Sequence, residues 1–364
     1  MASLQESPLR IVQWTTGNVG RRSVIATLAN PALELVGCYA WDADKVGRDV
    51  GELCDIDPIG VTATDDIDAL LSLAPDCVVH NPKWPDVDHL VRILESGVNV
   101  VTTAAFITGH ALSAGSGPGG HTGRERVADA CRRGGSSIFG TGMNPGFANL
   151  LGIVSAGICD RVDSISVLES VDSTGYDSPD TERSVGYGLR IDDPALPEMV
   201  RTGTAVFGDA VRLTADALGI DLDEVRCEAG FAQTTEFLDL GSWSIEAGCV
   251  AGVEASWQGR IGDRTVVELK VRWRKGQTLE PDWPIEHGYL IDIQGQPCVR
   301  TKLEVFPPSD FVANSFADYM VLGMIMTALP AIDAIPAVCA AAPGIVTYLD
   351  LPLITPRGFG PRAR

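Results

Sequence analysis

The sequence predicts an α/β chain with a doubly wound, mostly parallel sheet, followed by a second domain of α+β type with a mostly antiparallel sheet. Three observations predict it. Up to Gly140, short apolar runs alternate with amphipathic stretches. The first apolar run ends in a glycine turn that leads straight into a helix pattern. From Asp163 onward the texture changes to long segments that alternate apolar and polar residues, the period of half-buried strands.

Leu9 to Trp14 reads as the first strand, and Val19 to Ala29 as the helix after it. Between them lies Thr16-Gly17-Asn18-Val19-Gly20-Arg21. A strand, a glycine turn and a helix form the phosphate-binding corner of a Rossmann domain. Gly17 allows the tight turn, and Gly20 is expected to let the backbone approach a pyrophosphate. The helix presents its N-terminus, with a partial positive charge, to that anion. The full fingerprint has three glycines, whereas this chain has Gly17, Gly20 and then Ser23, so a plain turn is the bland alternative.

The second strand is Leu33 to Ala40, with Asp42 just past its end. Asp42 to Leu53 is a polar connection with a short helix. Asp66 to Leu73 is a helix, Asp76 to His80 a buried strand, Val87 to Leu94 a helix, and Asn99 to Thr103 a strand. Arg124 to Arg133 is a helix and Ser137 to Gly140 a strand. Strand ends of such a sheet open on one ligand-binding edge. Phe106 to Gly123 holds the glycine-rich run 115–120 and reads as a loop, with a lid as its functional reading. In the second domain, Ile165 to Val171, Gly248 to Ile261, Thr265 to Trp273, Tyr289 to Ile293 and Val299 to Phe306 are strands, and Met199 to Leu218 is mostly helix. Ala313 to Ala328 is a further helix, and a Pro- and Ala-rich segment runs from Ile335 to Pro356. The expected division is 8–146, 147–309 and 310–364.

The chain has 364 residues and a net charge of −20, which argues against a nucleic-acid partner. No apolar run is read as long enough for a membrane span, and the first residues carry no secretion signal. The nine cysteines are scattered singly, and the five histidines are dispersed, so neither a disulfide framework nor a metal site is expected. These features point to a cytoplasmic protein.

Gly140-Thr141-Gly142-Met143-Asn144-Pro145-Gly146-Phe147 resembles a signature of the 2,4-diaminopentanoate dehydrogenase family, which includes the native amine dehydrogenases and is related to dihydrodipicolinate reductase. Lys45 to Leu53 resembles that family after its second strand. Ala334 to Ala341 and Pro343 to Leu353 resemble its actinobacterial branch. The resemblance spans nearly the whole chain. It implies a Rossmann domain, a central α+β domain whose sheet serves a homodimer, and C-terminal helices that pack back on the first domain. The implied reaction is reversible oxidative deamination, with hydride passing between a nicotinamide and an amine carbon of a small-molecule substrate. Such chemistry needs a carboxylate near the nitrogen.

In the amine dehydrogenases a glutamate follows the strand that corresponds to Asn99–Thr103. Simple alignment sets Ala105 in its place. Glu169 and Asp172, near the end of the first strand of the second domain, are the candidate replacements, with solvated strand-end acids as the alternative. Asp282 and His287 read as surface residues. Asn144 is read as the N-cap of a helix that opens at Pro145, and also as a contact to carboxamide or substrate. The cofactor-binding set is Gly17, Asn18, Val19, Gly20, Arg21, Asp42, Asn81, Thr102, Thr103 and Asn144. Thr102 and Thr103 resemble the threonine pair beside the nicotinamide in dihydrodipicolinate reductase, and the backbone of His80-Asn81-Pro82 is expected beside a ribose. Asp42 favours NAD. Arg21 and Arg22, with Lys45 and Arg48, favour the 2′-phosphate of NADP, and the balance leans to NADP. Two alternatives accompany the deamination reading: reduction of a C=O or ring C=N bond without ammonia, and a dinucleotide-binding protein without catalysis.

Overall fold

The computed structural model describes residues 7–113 and 120–356. The chain divides into two compact units. The first takes the chain up to Met143 and again from Met324, and the second is Asn144–Gly323.

The first unit opens with β1 (Leu9–Trp14), α1 (Asn18–Leu28), β2 (Leu33–Tyr39), α2 (Val50–Leu53), β3 (Ala63–Thr64) and α3 (Ile67–Ser72). It continues through β4 (Cys77–His80), α4 (Val87–Glu95), β5 (Asn99–Thr102), α5 (Gly123–Gly134) and β6 (Ser137–Gly140). The second unit contains α6 (Ala148–Ala156), β7 (Arg161–Asp172), α7 (Pro179–Arg183), α8 (Leu196–Gly203) and α9 (Val206–Leu218). Its remaining strands are β8 (Glu224–Thr234), β9 (Leu238–Asp239), β10 (Ser244–Ile245), β11 (Val250–Ile261), β12 (Arg264–Arg274), β13 (Leu279–Glu280), β14 (Gly288–Gln296) and β15 (Val299–Leu303). Last come α10 (Met320–Cys339) and β16 (Gly344–Val346).

The first sheet is parallel throughout, in the order β16-β6-β5-β4-β1-β2-β3. Strand order reverses between β1 and β4, the topological switch point where ligands of doubly wound sheets bind. Both faces are covered, so the strands are apolar throughout rather than alternating. Val78, Val100 and Ile138 pack with Leu90, Leu94 and Val127 on one face. Ile11, Val79, Val101 and Phe139 pack with Ile332, Ile335 and Val338 on the other. Helix starts follow side-chain caps: Asp66 accepts from the Ala69 N–H, Asp86 from those of Asp88 and His89, and Thr122 with Glu125 closes a capping box.

The second sheet runs β13-β8-β11-β12-β7-β14-β15. All its pairs are antiparallel except β12 with β7. One face alternates Ile165 and Val167 of β7 with Leu269 and Val271 of β12 and Ile291 and Ile293 of β14, all buried.

Several sequence expectations are corrected. The helix expected over 199–218 is broken into α8 and α9 at Thr204, whose hydroxyl bonds back to Val200 O and accepts the Trp257 indole N–H at 2.9 Å. The helix expected over 313–328 lies instead at Met320–Cys339, and the segment read as a Pro- and Ala-rich tail supplies its end and the edge strand β16. Pro330 and Pro336 lie inside that helix. It is also long and apolar enough to cross a membrane by length and composition, contrary to the expectation that no run reaches that length. Its Ala331, Ile332, Ala334, Ile335 and Val338 are core residues of the first sheet, which accounts for the apolar character of its second half. Of the loop expected over Phe106–Gly123, the glycine-rich part at 114–119 lies outside the described residues, and Gly123 already begins α5.

Candidate active site

The glycine turn is built as the sequence predicts, but its two glycines have different work. Gly17 caps α1 in an extended conformation, and a Cβ placed on it meets nothing within 4 Å. A Cβ on Gly20 would lie 2.3 Å from the Thr15 carbonyl oxygen and 3.2 Å from Gln13 Nε2. Gly20 therefore lets α1 pack against the end of β1, and the expectation that it opens a path to a pyrophosphate is corrected. The open side of the turn is at Gly17 and Asn18, both exposed. The first helical turn behind them carries N–H groups for which a helix has no internal acceptor. Open space before a helix N-terminus, with no acid in its first turn, fits a bound pyrophosphate.

A polar network ties the strand ends at the switch point. Gln13 Nε2 donates to Asn81 Oδ1 and to Thr15 O, both at 2.8 Å. Asn81 Nδ2 donates to Thr103 Oγ1 at 2.8 Å, and Thr15 Oγ1 donates to Asn81 O at 3.0 Å. The Asn81 side chain is thus used inside the fold, and so is its backbone, whose N–H donates to Trp14 O at 3.1 Å, so the expectation that it lies open beside a ribose is not supported by its bonding. Thr102 is fully buried; its hydroxyl accepts from Ala104 N–H and bonds His80 Nδ1 at 2.9 Å. A ligand-facing role suits Thr103, which is half-buried, and not the Thr102 side chain. Asp42 is half-buried and accepts from Asp44 N–H at 3.0 Å, an Asx turn after β2. Arg21 pairs with Asp55 on the surface, so its charge is already answered there.

His80 is fully buried, and burial, then the neighbouring His89, pushes its pKa down to about 3. The unfolded chain takes up a proton near the ordinary 6.5, whereas the folded chain resists until about 3. Its contribution to stability is present above pH 6.5 and is lost as pH falls through that window. By pH 4.5 the loss is about 2–3 kcal/mol. Urea unfolding at pH 7 and 4.5 is expected to show that share of the drop in the native chain and not in His80→Asn. An identical drop in both would assign acid lability elsewhere.

The second unit holds a carboxylate with its own donors. Glu169 lies on β7, on the same face as Ile165 and Val167, and across from Val271 of β12 and Tyr289 of β14. Trp273 Nε1–H donates to Glu169 Oε1 and Asn144 Nδ2–H donates to Oε2, each at 2.8 Å. A carboxylate only accepts, so the Asn144 amide nitrogen must face it, and Asn144 Oδ1 is buried without a partner. Burial raises the Glu169 pKa above the usual glutamate range, against the two N–H donors that lower it. Burial, then the Glu169 charge, raises the Tyr289 phenol, which stays protonated beside the carboxylate.

Asn144 reaches this position because it is not a helix cap. Asn144 and Pro145 are extended, Gly146 has φ 140°, and α6 begins only at Ala148. The Gly146 N–H is taken by Asn149 Oδ1 at 2.8 Å. The predicted helix start at Pro145 is therefore corrected: the signature is a bent entry that aims Asn144 at Glu169. Asp172, three residues on, points to the opposite face of β7. Its carboxylate accepts from Thr174 N–H and hydroxyl and from Gln277 Nε2. With Arg274, Gln277, Ile285 and His287 it lines a separate cavity of about 330 Å³, and Arg274 pairs with Asp282 at 2.9 Å. Sequence reasoning missed Trp273 and a buried ion pair two residues further on. Lys275 and Glu182 pair at 2.5 Å, and Lys275 Nζ also donates to Ser173 O at 2.6 Å. Tyr187 donates to Trp273 O at 3.0 Å, fixing the strand end that carries the indole. A lysine in Arg274-Lys275-Gly276, where a strand runs out into a glycine, was the only local signal.

A parallel sheet that reverses beside an open glycine turn, in a chain that also holds a desolvated carboxylate, defines the class: a dinucleotide-dependent oxidoreductase. Residues 148–358 match the 2,4-diaminopentanoate dehydrogenase C-terminal domain. The chain is 31% identical to an amine dehydrogenase of Streptomyces virginiae over 94% of its length and 96% of the relative's. It is 26% identical to the 2,4-diaminopentanoate dehydrogenase of Acetoanaerobium sticklandii over 73% of its length and 70% of the relative's. The solved amine dehydrogenase of Mycobacterium smegmatis shares the fold, with a TM-score of 0.75 at 19% identity over 97% of this chain and 98% of that one. The chain belongs to the 2,4-diaminopentanoate dehydrogenase family.

Proposed function

We propose that this chain catalyses NAD(P)-dependent hydride transfer at the carbon of a C–NH₂ or C=N group in a small or medium substrate. The observation that supports it most is the acceptor pair formed by Glu169 and the partnerless Oδ1 of Asn144. An ammonium or iminium nitrogen is a cationic N–H donor, and this pair offers it a carboxylate and an amide oxygen in a desolvated setting. A bound reduced nicotinamide supplies the hydride. Glu169, with its raised pKa, holds a proton for the nitrogen in the reductive direction and takes it back in the oxidative one. Trp273 and Asn144 fix the carboxylate's orientation through one N–H each.

In the same reading, the backbone of Gly17, Asn18 and Val19 faces the pyrophosphate, Asp42 the adenosine ribose, and Thr103 the nicotinamide side. With Arg21 engaged by Asp55, the lean to NADP rests on Arg22, Lys45 and Arg48. Tighter binding of NADP than NAD is expected in a calorimetric titration of each, and the reverse order would remove the lean. The family resemblance supports a cytoplasmic homodimer paired through the second unit's sheet. Sedimentation at twice the chain mass is expected, and a monomer would exclude it. The activity itself is tested by incubating the protein with NADP⁺ or NAD⁺ and a panel of primary amines. Formation of reduced nicotinamide together with ketone and ammonium is expected. Intact cofactor binding with no turnover across the panel would favour the non-catalytic alternative.

A further inference from the structure

The bond from Trp273 to Glu169 runs diagonally across the second sheet. In register Trp273 faces Val171 and Val271 faces Glu169, so the indole reaches back two residues along β7 to bring Nε1 within 2.8 Å of Glu169 Oε1. A diagonal bond depends on how the ends of β7 and β12 sit against each other. One buried ammonium holds those ends. Lys275, the first residue after β12, is fully buried. Its Nζ donates to Ser173 O at 2.6 Å and to Tyr176 O at 3.3 Å, both on the connection that follows β7. Nζ also pairs at 2.5 Å with Glu182 of α7, which is buried as well. An ammonium has three protons, and three acceptors are in place for them. Ser173 returns the tie, because its N–H and its hydroxyl donate to Arg274 O at 2.8 and 3.1 Å. The same ammonium stands 5.8 Å from the centre of the Tyr187 ring, and the Tyr187 hydroxyl donates to the Trp273 carbonyl at 3.0 Å.

Stability alone does not account for this cluster. Taking two charges out of water offsets most of their attraction, and apolar side chains of the same volume would fill the space as well. What an ammonium with three fixed acceptors adds is direction. We propose that Lys275, with Glu182 and Tyr187, is a positioning group for the reaction, clamping the ends of β7 and β12 so that the Trp273 indole stays on Glu169. This role rests on the reading of Glu169 as the group that handles the proton. Lys275 has no exposed surface, so it acts through Trp273 and not on substrate. The indole N–H favours the ionised carboxylate, so loosening it raises the Glu169 pKa further than burial already does. Tyr289 of β14 is the titratable neighbour of Glu169, and Glu182, Asp172 and Asp177 are the acids that act on Lys275.

The test follows the indole N–H signals of the full chain by nuclear magnetic resonance across pH, with its seven tryptophans isotope-labelled at the indole nitrogen. Trp273→Phe assigns the Trp273 signal, and Glu169→Gln shows which part of its pH dependence belongs to Glu169. Tyr187→Phe removes one hydroxyl and keeps the ion pair. Lys275→Met combined with Glu182→Leu removes the pair as a whole, which avoids leaving a lone buried charge. In both cases the Trp273 signal is expected to move towards that of a free indole. Its titration midpoint is expected to rise by about half a pH unit, a fraction of what a hydrogen bond to a charged group contributes. Reductive kcat is expected to fall about tenfold, with its alkaline limb displaced upward by the same amount and dinucleotide affinity unchanged. A native Trp273 signal and midpoint in both variants, whatever their melting temperatures, would overturn the clamp and leave the pair a packing feature. A displaced Trp273 signal in a chain that turns over no amine or ketone would keep the clamp and overturn the amine reading.

Discussion

Replacing Glu169 with glutamine is expected to lower kcat for reductive turnover by about 10²–10⁴-fold, the range for loss of a positioned acid–base group. Dinucleotide affinity should stay as it is. The fold should also hold, because the substitution removes a carboxylate whose ionised form is disfavoured by burial. The glutamine oxygen can keep one of the two N–H partners, from Trp273 or Asn144, but it cannot give up a proton. The pH profile carries the sign. A raised pKa keeps Glu169 protonated to higher pH than an ordinary glutamate, so reductive turnover is full below that pKa and declines as pH rises through it. Steady-state kinetics across pH on both proteins checks this. A variant with native kcat and the same alkaline limb would remove Glu169 from the chemistry.

The glycine turn yields a second large effect, with opposite signatures at its two ends. Gly20→Ala puts a methyl group 2.3 Å from the Thr15 carbonyl oxygen, which is backbone and itself accepts from Gln13. Overpacking of this kind is expected to cost about 1–3 kcal/mol, and it pushes α1 away from β1. Gly17→Ala has room for its methyl, and φ −75° with ψ −169° is open to alanine. Its melting temperature should therefore match the native chain. The methyl instead occupies the ground before the helix N-terminus, and dinucleotide affinity is expected to fall about tenfold. Thermal unfolding and titration of both variants check the pair. Loss of stability at Gly17, or none at Gly20, would contradict the division of labour between them.

Local patterns made much of this molecule legible. β1, the glycine turn and α1 were readable because apolar period, turn chemistry and chain order agree within 20 residues. Glu169 was a candidate because it lies near the end of the first alternating strand of the second domain, and the structure places donors on both its oxygens. What was illegible depends on partners far away in sequence. Gly20 looked like a ligand-facing glycine because nothing local reveals the Thr15 carbonyl folded over it. Asn144 looked like a cap because asparagine caps helices and proline suits the first helical position, and its bend shows only once β7 lies beside it. Trp273 lies 104 residues from Glu169 and reads simply as a strand residue. The apolar second half of α10 pairs with a sheet made almost 200 residues earlier, so its register against the core could not be read from its own composition.

In the proposed reaction the bond reduced is a C=N formed from a carbonyl and ammonia. The most direct measurement is ketone-dependent oxidation of NADPH or NADH by the native chain, with and without ammonium, over the same ketone panel. Turnover that requires ammonium and rises to saturation with it is expected. Turnover at the same rate without ammonium would contradict it and assign the chain to carbonyl or ring-imine reduction.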